Sequence, residues 1–418
     1  MKILFLSSWF PYPPINGAKI RIYNLIRELS KQHEIVLLSF VRTLNMEEVQ
    51  ANIPLLEKYC RSVNVVQAQS FRPKIQDAVK GLFSELPRSV IQTYSPEMER
   101  LVREAMQAEP FDVLVASEVN MPYLVSRLAA DVTEIPTVLD SIEVALAKDA
   151  YRNAHSPIMR IRNRFTWIKL KNYTKSILQK VDACTVPSEL EKQNLLEIVP
   201  GYSGIKVVPH ALDVTQYTGS FGNPHPNTLV YTGAFTYYPN LDAAYYFLKD
   251  IYPRIKRFIP AVCTQIIGST GNAQLENWPI DSSVSFTGMI YDVRPKVAQS
   301  WLSIVPLRMG AGTRLKIIES LALGTPVVST SKGAEGLEVT DGKNILIADT
   351  PTEFADAVLQ VLRKPDFRET LSQEGRKLVV EKYSSEAMGS NVNSLLETVV
   401  HSSKKTVPSS HLASQEMR

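Results

Sequence analysis

Residues 305–330 read VPLRMGAGTRLKIIESLALGTPVVST. The apolar run Leu302 to Leu307 predicts a buried strand that enters this stretch. It leads into a glycine turn with Gly310 and Gly312, followed by Thr313. The turn predicts a helix with two cations at its start, Arg314 and Lys316, and a carboxylate, Glu319, one turn later. Gly324 suits the left-handed cap that ends a helix, and Pro326 starts the next apolar strand. Strand, turn, helix and strand in this order form the repeating unit of a parallel α/β sheet. The same unit is suited to an anion, because unpaired N–H groups and the positive end of the helix dipole attract it and glycines let it come close. Lys316 and Glu319, three residues apart, share a helix face. The plain alternative is a capped helix with one exposed ion pair. The glycines, the preceding strand and the second cation favour a diphosphate.

Working outward, 418 residues exceed what one core usually supports, so two domains are expected. A hydrophobic content of 44% and a charged content of 21% describe a globular chain, and a net charge of +4 makes no case for nucleic acid. The three cysteines, Cys60, Cys184 and Cys263, show no CxxC spacing and suit a reducing, cytoplasmic setting. The six histidines are scattered, without metal-ligand spacing. The opening MKILFLSSWF reads as a first strand rather than a secretion signal. No stretch approaches the roughly 18 apolar residues that a membrane span needs.

Short apolar runs alternate with longer amphipathic stretches, so the fold class is α/β, two doubly wound Rossmann-like domains. Seven strands are predicted between Ile3 and Val208, and six more between Thr228 and Ile347. The segment DVTQYTGSFGNPHPN has linker composition. The expected boundaries are therefore 1–212 for an acceptor-side domain, 213–227 for a linker and 228–384 for a nucleotide-binding domain. A helix over 385–400 is expected to return to the first domain, before a disordered tail, 401–418. Two such domains place the binding site at the carboxyl ends of the strands.

Further candidates sit at those ends. Asn16-Gly17 follows the first strand, and the next helix carries Lys19 and Arg21. Gly233, in YTGAFTYYPN, ends the first strand of the second domain; Gly268 ends the next. GAEGL (Gly333 to Leu337), with Glu335, follows the strand that begins at Pro326. Glycines at several strand ends point to a nucleotide pocket, although each alone is an ordinary turn. In the first domain Ser117, Glu118, Asn120, Asp140 and Glu143 stand where an acceptor hydroxyl would be held, with helix capping by Ser117 or Asp140 as the alternative. Between Tyr151 and Lys180 the chain has eight Lys and Arg, no Asp or Glu, and interleaved Met159, Phe165, Trp167, Ile168 and Leu170. Such a helix can lie on an anionic membrane surface, or pack its apolar side on its own domain.

In these residues the chain resembles the family 4 (group 1) glycosyltransferases, closest to the exopolysaccharide-type members with a GAGTRLK-type turn. The resemblance rests chiefly on the PLRMGAGTRLKIIESLALGTPVVST block and GAEGLEV, and extends to the Asn16-Gly17 loop, YTGAFTYYPN, IIGS and FTGMI. It implies the two-domain GT-B fold and a retaining transfer of sugar from a nucleoside diphosphate sugar to a glycan or lipid-linked acceptor. No cofactor and no metal ion are implied. Arg314 and Lys316 would hold the diphosphate and Glu319 the donor ribose, and Gly233 would approach a phosphate. Gly17, Gly268, Gly310, Gly312, Thr313 and Glu335 complete the expected donor site, and Glu118 joins Arg314 and Lys316 as catalytic. Ala311 stands where the family's Glu-x7-Glu pair has its first carboxylate. The segment ASEVNMP offers Ser117 and Glu118 where many members carry histidine, and Pro209-His210-Ala211 replaces Pro-Asn-Gly. A nucleotide-sugar epimerase of the same fold and a non-catalytic nucleotide-sugar-binding subunit are the competing readings. A dehydrogenase is disfavoured because no GxGxxG follows the first strand.

Overall fold

Apolar runs dictate the architecture. In a computed structural model that describes residues 1–42, 45–68, 84–118, 120–127, 135–154, 156–271, 273, 275–310, 312 and 314–406, the short Val/Ile/Leu-rich segments are strands, and those in the middle of each sheet are buried on both faces. The chain divides into two units, Met1–Pro209 together with the residues from Met388 onward, and His210–Ala387.

The first unit holds β1 (Lys2–Ser7), β2 (Glu34–Val41), β3 (Ser62–Gln67), β4 (Val113–Ser117), β5 (Thr137–Asp140), β6 (Ala183–Val186) and β7 (Ile205–Val207), in the order β3-β2-β1-β4-β5-β6-β7. Every neighbouring pair is parallel; Ile3, for example, lies between Ile35 of β2 and Val113 of β4. The second unit holds β8 (His225–Thr232), β9 (Cys263–Ile267), β10 (Val284–Gly288), β11 (Ser300–Val305), β12 (Val327–Ser329) and β13 (Leu346–Ile347), in the order β10-β9-β8-β11-β12-β13, again parallel. Each sheet has a core of its own: Leu4, Leu38, Leu114 and Leu139 in the first, Leu229, Ile304, Ile318 and Val328 in the second.

In both sheets the strand order reverses once, between β1 and β4 and between β8 and β11. Chains leave such a pair in opposite directions, and the crevice opened at the carboxyl ends is where doubly wound folds take ligands.

Two boundaries differ from the expectation. The stretch 213–227 belongs to the second unit. It contains a 3₁₀ turn, Val214–Tyr217, and the first residues of β8. Val214 and Tyr217 pack on the core of that unit, and Asp213 caps the turn by accepting from Thr215 N at 3.3 Å. At the other end the final helix runs Ser385–Thr406. It passes His401, and the hydroxyls of Ser402 and Ser403 donate to the carbonyls of Thr398 and Val399 one turn back, at 2.9 and 3.2 Å. Residues 407–418 lie outside the described residues.

Candidate functional site

Gly233, Gly310, Arg314 and Lys316 follow the strands of the second reversal, and Glu118 follows a strand of the first. In the second unit β8 ends at Thr232 and β11 at Val305, so the loops bearing Gly233 and Gly310 start from adjacent strands. The glycines there have steric reasons. A Cβ on Gly268 would lie 2.4 Å from the Gly233 carbonyl oxygen, and Gly268 itself has φ +143°. Gly310, at φ +100°, would bring a Cβ to 2.9 Å from the Tyr237 hydroxyl. Gly312 shares the left-handed region at φ +94° and is exposed, with open space around it. Thr313 and Ala311 lie outside the described residues.

The helix after this turn spans Leu315–Ala322 and buries Ile317, Ile318, Leu321 and Ala322. Gly324, at φ +74°, ends it as the sequence predicts. Arg314 is its N-cap residue, and no side chain caps the end. The first N–H groups of a helix have no partners within it, so this end attracts anions.

Both cations are held by their own unit. Arg314 is buried; its Nη2 donates to the carbonyls of Gly310 at 2.8 Å and Lys332 at 3.2 Å. Glu335 stands 3.9 Å from that guanidinium and 2.5 Å from the Lys332 ammonium. Arg314 thus clamps the glycine turn to GAEGL, and Glu335 partly neutralises it. Lys316 is half-buried. Its Nζ donates to Asn240 Oδ1 at 2.9 Å and lies 4.6 Å from the centroid of the Tyr231 ring. Desolvation, with Arg314 adding repulsion, lowers its pKa to about 7. A bound anion would restore the charge that burial disfavours. Asn240 also packs against Gly233, so Lys316 reaches the loop that the sequence reading assigned to phosphate.

Glu319, also half-buried, accepts from the Tyr217 hydroxyl at 3.1 Å. Burial raises the pKa of its carboxyl, against the hydrogen bond from Tyr217 and the attraction of Lys316. Arg294, paired with Asp292 at 2.8 Å, sits 5.9 Å from the Tyr217 ring and donates to the Gln216 carbonyl. A segment of linker composition therefore supplies Glu319 with its partner, which the sequence reading missed. A lone tyrosine in a polar stretch was the one available signal. Arg308, at the end of the same β11 loop, is spent on Asp242 in a bidentate pair at 2.6 and 3.1 Å.

In the first unit Ser8, just past β1, donates to the Glu118 carboxylate just past β4. Glu118 has φ +68°, a left-handed backbone that costs a non-glycine residue on the order of 1 kcal/mol or more. Burial raises its carboxyl pKa, opposed by Ser8 and by the charge of Arg42. Arg42 lies over the Trp9 ring at 5.4 Å and donates to the Ser8 carbonyl at 2.8 Å. Gly17 begins the helix Gly17–Leu29, capped by Asn16, whose Oδ1 accepts from Lys19 N at 3.0 Å.

Asp140 departs from both roles considered for it. It is buried and forms a bidentate pair with Arg21, at 2.7 and 2.9 Å, and accepts from Thr185 Oγ1. Arg21 also donates to the carbonyls of Val208 and Pro209. This network ties the helix after β1 to β5, β6 and the chain after β7, which makes Asp140 a fold element. No cluster of three or more His, Cys, Asp or Glu placed to hold a metal ion occurs among the described residues.

Residues 226–364 match the family model described as Glycosyl transferases group 1. An uncharacterized 44.6 kDa protein of the cps region of Klebsiella pneumoniae is 20% identical over 403 residues, covering 94% of this chain and 98% of that one. The structure is similar to the crystal structure of Anabaena Alr3699/HepE in complex with UDP, with a TM-score of 0.65, 14% identity, and coverage of 95% of this chain and 100% of that chain. Sucrose-phosphate synthase from Thermosynechococcus elongatus gives 0.65 at 15% identity, covering 96% and 100%. TarM gives 0.67 at 11%, covering 95% and 99%. The fold shared with these proteins is GT-B.

Proposed function

Starting from a second unit that matches the group 1 glycosyltransferase model over residues 226–364, we propose that the chain moves a sugar from a nucleoside diphosphate sugar to a glycan or lipid-linked acceptor. The observation that carries this reading is the grouping at the β8/β11 reversal, where the Gly233 loop, the uncapped helix end, Arg314, Lys316 and Glu319 stand together. Arg314 and Lys316 meet the diphosphate, and Glu319 meets the ribose. As the C1–O bond to the diphosphate breaks, charge develops on oxygens beside these cations, and that stabilisation supplies most of the catalysis. The acceptor oxygen bonds to C1 on the face the diphosphate leaves, so configuration is retained. Its proton passes to a diphosphate oxygen, and no protein nucleophile is used. Two cations at the leaving group support a reaction that needs no metal. Glu118, strained and held by Ser8, is assigned to acceptor handling. The setting is cytoplasmic, in keeping with three free cysteines, and the likeness to a cps-region protein supports a role in polysaccharide assembly.

UDP, present in the HepE crystal structure, is the first nucleotide to test. The purified chain should bind it in titration calorimetry, and Glu319→Ala should weaken that binding. With a nucleotide-sugar panel and acceptor, nucleoside diphosphate should be released only when acceptor is present, with or without EDTA. Release or sugar inversion without acceptor would favour an epimerase. Binding without transfer would favour the non-catalytic subunit to which Ala311 points.

A further inference from the structure

The basic stretch has a geometry that its sequence does not disclose. The helix Pro157–Leu178 is anchored by its second half, where Leu170, Tyr173, Thr174, Ile177 and Leu178 are buried in the first unit. Its first half carries a second apolar row, Ile158, Ile161, Phe165 and Ile168, spaced three, four and three residues apart and so aligned on one face. This row is 80%, 58%, 55% and 41% exposed. Each of the last three has a buried counterpart nine residues on, at Leu170, Thr174 and Ile177. Nine residues are about two and a half turns, so the exposed row points away from the face that packs on the domain. Packing on its own unit, the plain alternative for this stretch, therefore uses a different set of residues and leaves the row uncovered.

Cations flank the row. Arg162 and Lys169 border it on one side; Arg160, Arg164, Lys171 and Lys175 border it on the other, with no carboxylate anywhere on the helix. The neighbouring helix Ala145–Arg152 is fixed in place: Glu191 accepts from Val144 N and Ala145 N at 3.0 Å, and Lys148 donates to Asn194 and Glu197 at 2.6 Å. Asn163 joins the two helices by donating to the Ala150 carbonyl at 2.7 Å. The row is therefore presented on a rigid support.

We propose that this face is a docking surface for an anionic lipid bilayer, with Ile158, Ile161, Phe165 and Ile168 entering the headgroup–acyl boundary and the flanking cations meeting lipid phosphates. Charge complementarity selects this occupant. A second copy of the chain would bring six cations of one helix against six of another, and an ordinary protein partner has no need of cations along both borders. The inference does not depend on the glycosyltransferase reading, because the surface lies outside the candidate donor site.

Co-sedimentation of the full chain with vesicles tests it. The protein should pellet with phosphatidylcholine–phosphatidylglycerol vesicles at low salt, and release as salt rises or when phosphatidylglycerol is omitted. Arg162→Glu with Lys169→Glu should lower partitioning by on the order of a hundredfold or more. Ile161→Ser with Phe165→Ser should lower it about tenfold or more without moving Tm, since both residues are exposed. A control of equal charge change on the second unit, Arg376→Glu with Lys377→Glu, should leave partitioning unchanged. Failure of the wild type to pellet with anionic vesicles at low salt would overturn the proposal. So would an equal loss in the control pair, or lipid-free self-association abolished by Ile161→Ser with Phe165→Ser.

Discussion

The two strand-order reversals share a topology and differ in content. At β8/β11 the loops bring cations, glycines and an uncapped helix end. At β1/β4 they bring a strained carboxyl, a hydroxyl and an arginine stacked on tryptophan. Parallel winding creates a crevice at both places, but only the side chains decide which charge it favours. One fold, used twice in a chain, thus provides one crevice edged by cations and one that holds a half-buried carboxyl.

Removing the cations tests that division most severely. Arg314→Ala and Lys316→Ala should each lower turnover by on the order of a hundredfold or more, read as nucleoside diphosphate release. Wild-type turnover in both would remove the basis for assigning the second crevice to the leaving group. Glu118→Gln should cost about tenfold to a hundredfold in turnover and leave nucleotide affinity unchanged. A loss of nucleotide affinity in this variant would merge the two roles that the comparison separates.

A smaller effect lies in the pH response of Lys316. With its pKa lowered to about 7, it must take up a proton to meet a diphosphate. Nucleotide affinity should therefore fall by up to about tenfold per pH unit above 7, and Lys316→Met should flatten that slope in calorimetry across buffers. The stability sign is opposite. Between about 7 and the ordinary value of 10.5 the unfolded chain holds the extra proton, so this group makes the fold more stable as pH rises through that window. The smallest change is expected from Tyr217→Phe. Loss of one hydrogen bond to Glu319 should weaken donor binding by roughly threefold to tenfold, with turnover at saturating donor unaltered.

Much of the scaffold was legible because parallel strands buried on both faces leave unbroken apolar runs. Thr137–Asp140 and Ala183–Val186 fall where the runs predict them. The glycine turn was legible too, since Gly310 and Gly324 take positive φ as their positions demand. Roles set by distant partners were not. Asp140 looks like a site carboxylate until Arg21, 119 residues earlier, is seen to claim it. Lys316 reads as a cation for a diphosphate, but its partners Asn240 and Tyr231, 76 and 85 residues away, are visible only in the fold. Tyr217 was hidden by its polar neighbours, whose composition signals a connector even though the tyrosine ring packs on a core.

The contact between Gly268 and the Gly233 carbonyl has a consequence for anyone redesigning these loops. Two strand tips meet there with no room for a single added methyl, which makes the junction a keystone rather than a dial. Libraries built on this part of the fold should keep both glycines invariant and diversify the loops on either side.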